Sequence, residues 1–203
     1  MPHGSLSLPA RLCLLAWDPT GTEGAAAHLV RAGALTELVR RGLLTDEDGI
    51  ATPADLDALT ADPVLDGLLE LVRESMPHRW RAWVGLHARV TADAVREQLT
   101  ADGWLRAEKK RVLGVFPSVE HVLERTDAVE ALRQEARDVW QGRGEVSGRE
   151  AAAVALAAAA GVRGLVPDGD GREQLKERVE ELVERSGVGG VLGELCSALT
   201  PAV

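Results

Sequence analysis

Apolar residues recur at helical spacing along most of this chain, and they alternate or run together only in short stretches between turn signals. From about Gly24 to Arg41, Leu29, Leu35, Leu38 and Val39 form an apolar stripe, which predicts a helix ended by Gly42. Leu43 to Ile50 then reads as a strand entering a tight turn at Asp46-Glu47-Asp48-Gly49. Asp62-Pro63 opens the next helix, with Asp62 at the N-cap and Pro63 at the first helical position. Met76-Pro77 breaks it, and His78 to His87 forms a further helix with Trp83 inward and Trp80 partly exposed. Ahead of all these, Leu6 to Trp17 is apolar without a clear period. It reads as a short extended segment closed by the turn Asp18-Pro19-Thr20-Gly21.

The stretch from Leu86 to Phe116 repeats the earlier pattern. Val90, Ala94, Val95 and Leu99 mark an amphipathic helix, Gly103 stops it, and a basic hairpin follows over Arg106 to Phe116. Helix, Gly, Leu and hairpin thus occur twice, about 60 residues apart, as two similar units rather than a repeat array. Ser118 to Gln141 is expected to be one long helix begun by a capping-box-like S-x-x-H. Gly142 to Gly148 is a polar link, and Arg149 to Gly161 is helical and apolar all round, as a buried central helix must be. After a turn at Val166 to Gly171 come a charge-laced exposed helix, Arg172 to Arg185, and a short apolar helix near Val191 to Leu199. The expected fold is mainly α: one domain over residues 1–203 around a buried helix, with short β-hairpins of which one projects, and with residues 1–5 flexible.

The chain's 203 residues and 45% hydrophobic content suffice for one good core. Charge changes the picture more. From Val72 to Arg111 there are nine Arg or Lys against five Asp or Glu, inside a chain of net charge −9. A local basic patch on an acidic protein favours a defined anion over a long polyanion, which the whole molecule would repel. No apolar stretch reaches the roughly 20 residues a bilayer span needs, and no signal segment is visible, so a cytoplasmic protein is expected. Arg makes up 20 of the 23 basic residues and Tyr is absent, a composition expected of a GC-rich bacterial genome. Cys13 and Cys196 sit in apolar runs and read as buried thiols.

No catalytic constellation emerges. The five histidines lack metal-ligand spacing, no G-x-S-x-G elbow exists, and Asp168-Gly-Asp170-Gly has Arg172 and Val179 where a calcium loop needs carboxylates. Asp46-Glu47-Asp48 reads as a solvated hairpin tip. The expectation is no enzyme, no cofactor and no metal. Trp80, Trp83 and Trp104 stand near Arg79, Arg81 and Arg106, a pairing suited either to a core edge or to a membrane interface.

The order of elements resembles the Golgi phosphoprotein 3-like family, whose eukaryotic members bind phosphatidylinositol 4-phosphate; the chain reads as a bacterial member. The resemblance rests on LSLPARLCLLAWDPTG, LVRAGALTELVRRGLLTDEDG, RESMPHRWRAWVGL, VREQLTADGWLRAEKKRVLGVFP, REAAAVALAAAAGV and LKERVEELV, in that order across nearly the whole chain. It implies a helical fold with a projecting hairpin, and a headgroup pocket built from arginines of two helices together with a tryptophan. Arg31 falls on the first arginine and Arg89 on the second. A third falls near Ala92, with Arg96 one turn on, and the tryptophan falls near Thr22, with Trp17 several residues earlier. Guanidinium forks suit phosphate because they bind its oxygens bidentately.

The reading that follows is a non-enzymatic adaptor, peripheral on the cytoplasmic face of a membrane. Arg31, Arg89 and Arg96 would hold an anionic, phosphatidylinositol 4-phosphate-like headgroup. The hairpin residues Trp104, Arg106, Lys109, Lys110, Arg111, Leu113 and Phe116 would meet the bilayer or a second copy of the chain. Two alternatives compete with it: a winged-helix-like DNA-binding regulator, disfavoured by the acidic net charge and the lack of a second basic helix, and an accessory protein to a partner enzyme.

Overall fold

The computed structural model describes residues 6–18, 23–112, 116–167, 169 and 171–200. It is mainly helical, with two antiparallel hairpins. The first segment is a helix, α1 (Leu8–Leu15), and not the extended run its pattern suggested. Ser7 caps it, its side chain accepting from the Ala10 amide, and Pro9 sits in the first turn, where a missing N–H costs nothing. Every residue of α1 is buried, including Arg11, so there is no polar face from which a helical period could be read.

Helix α2 (Glu23–Arg40) runs to a left-handed Gly42 and leads into β1 (Leu44–Glu47) and β2 (Ile50–Pro53). Helix α3 (Pro63–Glu74) starts where expected, with Asp62 accepting from the Val64 and Leu65 amides. Helix α4 (Trp80–Gly85) precedes α5 (Ala88–Ala101), which ends at a left-handed Gly103 before β3 (Leu105–Val112). The two units share one terminating geometry. Leu43 N–H bonds the Leu38 carbonyl and Gly42 N–H that of Val39, just as Trp104 bonds Leu99 and Gly103 bonds Thr100. Both are Schellman ends, in which glycine supplies the left-handed residue.

The return strand β4 (Phe116–Leu123) occupies what the sequence suggested was the start of a long helix. Val119, Val122 and Leu123 fit a helical stripe, but ladder pairing from Leu105↔Leu123 to Val112↔Phe116 wins, as tertiary context overrides local preference. The hairpin is therefore longer than Arg106 to Phe116. The helix that follows, α6 (Thr126–Trp140), starts eight residues later than expected.

Helix α7 (Gly148–Ala159) is the centre of the molecule: every residue from Ala151 to Ala159 is buried. Helices α1, α2, α6, α8 (Arg172–Arg185) and α9 (Gly189–Leu199) pack around it. A run of alanines lets these neighbours approach closely. Ser147 and Glu150 close a reciprocal capping box at its N-terminus. Trp80 is not partly exposed; it is 1% exposed, and its indole N–H donates to Asp46 Oδ1 at 2.6 Å, tying α4 to the first hairpin.

Candidate anion-binding site

Helices α2 and α5 lie side by side and run parallel. Arg31 of α2 meets His87, just ahead of α5, while Glu37 and Arg41 of α2 share a cleft with Gln98 and Asp102 at the other end of α5. The two ends differ in how their charges are satisfied.

At the far end is an open polar cleft of about 700 Å³. Glu37, nearly buried, accepts from Arg41 Nε at 3.0 Å and Nη2 at 2.9 Å and from the Leu8 amide at 3.3 Å, and it faces Arg149 Nε at 3.5 Å. Arg125 donates to the Asp102 carbonyl and lies 4.9 Å from the ring centre of Trp104. The principal charges of this cleft answer one another and hold α1, α2 and α7 together. In the sequence, Glu37, Arg41 and Arg149 are marked by no more than an ordinary i, i+4 pair.

At the near end, Arg31 is fully buried. Its Nη2 donates to the His87 carbonyl at 2.6 Å, while Nε and Nη1 have no hydrogen-bond partner among the described residues. Among the described residues no carboxylate pairs with it there, and burial pulls its pKa down to about 10. His87 adopts the left-handed conformation at the N-cap of α5, with φ 53° and no side-chain cap, and no acid occupies the first turn. The positive end of the α5 dipole therefore faces the same place as the buried cation. Arg89 stands exposed in that first turn beside exposed Val90, and His28 is exposed one turn before Arg31.

The structure thus brings Arg31 and the first turn of α5, which carries Arg89, to one end of the helix pair. Arg96 lies two turns further along and is paired with Asp93 at 2.8 Å. Its charge opposes the burial that raises the Cys13 thiol to about 11. Ala92, at the position of the third arginine, is buried against the core. Thr22 lies outside the described residues, and Trp17 is half-buried, with its carbonyl taking a bond from Arg133 at 2.7 Å.

Of the hairpin residues, Trp104 is 5% exposed, so in this conformation it lies under the base of the hairpin and not on its outer surface. Arg106 is exposed and paired with Glu124 and Glu108. Lys109, Lys110 and Arg111 occupy backbone positions opposite Val119, Ser118 and Pro117, and Phe116 opens β4; Leu113 lies outside the described residues. Among the described residues no group of three metal-ligating side chains gathers, and no helix is long and apolar enough to cross a membrane.

The model of the Golgi phosphoprotein 3 (GPP34) family matches residues 8–199. The chain belongs to the Golgi phosphoprotein 3 family. No curated protein matches it. Membership is consistent with a lipid-binding adaptor, in a family not known for enzymatic activity.

Proposed function

We propose that this member of the Golgi phosphoprotein 3 family is a non-enzymatic, peripheral membrane adaptor. It holds an anionic phospholipid headgroup, phosphatidylinositol 4-phosphate-like, where α2 meets the start of α5. The observation that carries this reading is Arg31, a buried cation with two unpartnered guanidinium nitrogens and no carboxylate beside it among the described residues. An unpaired buried charge is costly, and an anion's oxygen accepting from Nε or Nη1, which lie on different edges of the guanidinium, would lower that cost. The uncapped α5 N-terminus adds amide donors, and exposed Arg89 draws the anion in. Arg96, two turns along α5 and held by Asp93, would contribute only as a more distant charge.

The hairpin supplies the second contact with the membrane. It leaves α5 at the helix's far end. Its eight-residue strands nevertheless extend roughly 26 Å, against roughly 21 Å for the fourteen residues of α5, so it has the length to return to the level of Arg89. Lys109, Lys110 and Arg111 near its tip would each contribute on the order of 1 kcal/mol at an anionic surface. The cytoplasmic leaflet, which is anionic, is the matching surface. Co-sedimentation with vesicles tests the reading. Vesicles containing phosphatidylinositol 4-phosphate should retain the protein in preference to neutral ones, and Arg89→Glu should weaken that retention several-fold. Equal retention by neutral vesicles would refute it.

A further inference from the structure

Helices α8 and α9 form an antiparallel hairpin that is tight at its turn and open at its other end. Near the turn the backbones almost touch: a Cβ built on Gly189 would lie 3.4 Å from the Val183 carbonyl. Towards the start of α8 and the end of α9 the helices part, and a groove of about 690 Å³ opens over the C-terminal end of α7. Its walls are mainly apolar, with Glu180, Ser197 and Thr200 as polar groups on the rim. Leu175, Val179 and Val183 face it from α8, Ala158 and Ala159 from α7, and Cys196 from α9. Volume and lining are those of a site for a small apolar ligand.

The groove has a polarity along its length. Its narrow end, at Val183 and Gly193, carries no charge, Glu180 stands on the rim between the ends, and its mouth carries Arg172 and Lys176, one turn apart on the same face of α8. Lys176 is only loosely paired, with Glu180 at 3.9 Å, and Arg172 has no partner among the described residues. An apolar slot with a cationic lip is complementary to a molecule with an apolar tail and an anionic head. We propose that this groove binds one long-chain fatty acid, its tail directed to the narrow end and its carboxylate held by Arg172 and Lys176. The proposal stands independently of the Arg31 site, which is built on other helices.

Fluorescence of cis-parinaric acid, itself a long-chain fatty acid, tests this on the full chain. Saturable enhancement below the micellar range is expected, with displacement by palmitate and none by inorganic phosphate. Gly193→Leu fills the groove from α9; a Cβ there meets only Val183 Cγ1, at 4.0 Å, so the helix accommodates it. Affinity should fall by about tenfold or more in a variant whose circular dichroism is unchanged. Reversing the lip with Arg172→Glu and Lys176→Glu together should weaken palmitate by about tenfold while leaving displacement by hexadecanol unaltered. No saturable signal, or wild-type affinity in folded Gly193→Leu, overturns the proposal. So does a dimer abolished by Gly193→Leu in a chain that ignores the fatty acid, which would assign the groove to a second copy.

Discussion

Arg31 sets the residue-scale question, because a buried guanidinium with one hydrogen bond is a poor stabiliser. Its two guanidinium nitrogens unpartnered among the described residues and its desolvated charge outweigh the single bond to His87, whose carbonyl also accepts from the Val90 amide. Arg31→Met keeps an unbranched apolar stem and removes the charge. It should leave the unliganded protein at least as stable as wild type, with a gain on the order of 1 kcal/mol by urea denaturation. The pH dependence has a definite sign. The folded-state pKa, about 10, lies below the ordinary 12.5, so the penalty is present in full at every pH below about 10 and is relieved only above it. The stability difference between Arg31→Met and wild type should therefore be constant through neutrality. A marked loss of stability in the variant would show that Arg31 is there for structure.

Among the elements, α7 is buried without a break from Ala151 to Ala159. Ala155→Glu would place an unpaired carboxylate in a helix buried on every side, and thermal unfolding should show a loss of several kcal/mol, about 3 or more. Ser147→Ala should cost about 1 kcal/mol by opening the capping box. Part of that cost depends on pH. Burial tends to raise the Glu150 carboxyl, but its two bonds to Ser147 and the charges of Arg11 and Arg149 outweigh burial and hold its pKa below the ordinary 4.5. Its stabilisation is thus present above about 4.5 and lost as pH falls through the lower folded value, so the Ser147→Ala deficit should shrink in acid. Legibility in the sequence followed the same physics. Amphipathic α3 and α5 and the apolar α7 were readable because their burial matches their pattern. Helix α1 was not, because burial on all sides erases the period. Strand β4 was misread because its apolar spacing fits a helix, and only its pairing with β3 decides otherwise. Arg31 was reachable only through the family resemblance, since on its own an arginine in an apolar helix reads as a solvated one.

At the scale of the whole molecule, a chain of net charge −9 carries the basic run Lys109-Lys110-Arg111 on one hairpin and buries Arg31 without a carboxylate partner among the described residues. That arrangement suits a surface-bound anion. A two-stranded ribbon is marginally stable by itself, so β3–β4 should be protected from proteolysis on adding anionic vesicles, or else on raising protein concentration if a second copy covers it. Light scattering separates these two outcomes. Whether the buried Arg31 holds a headgroup phosphate is decided by measuring wild type and Arg31→Met together, for melting temperature and for retention on vesicles containing phosphatidylinositol 4-phosphate. Arg31→Met should melt at or above wild type yet lose preferential retention. A variant that still prefers those vesicles as wild type does would contradict that role.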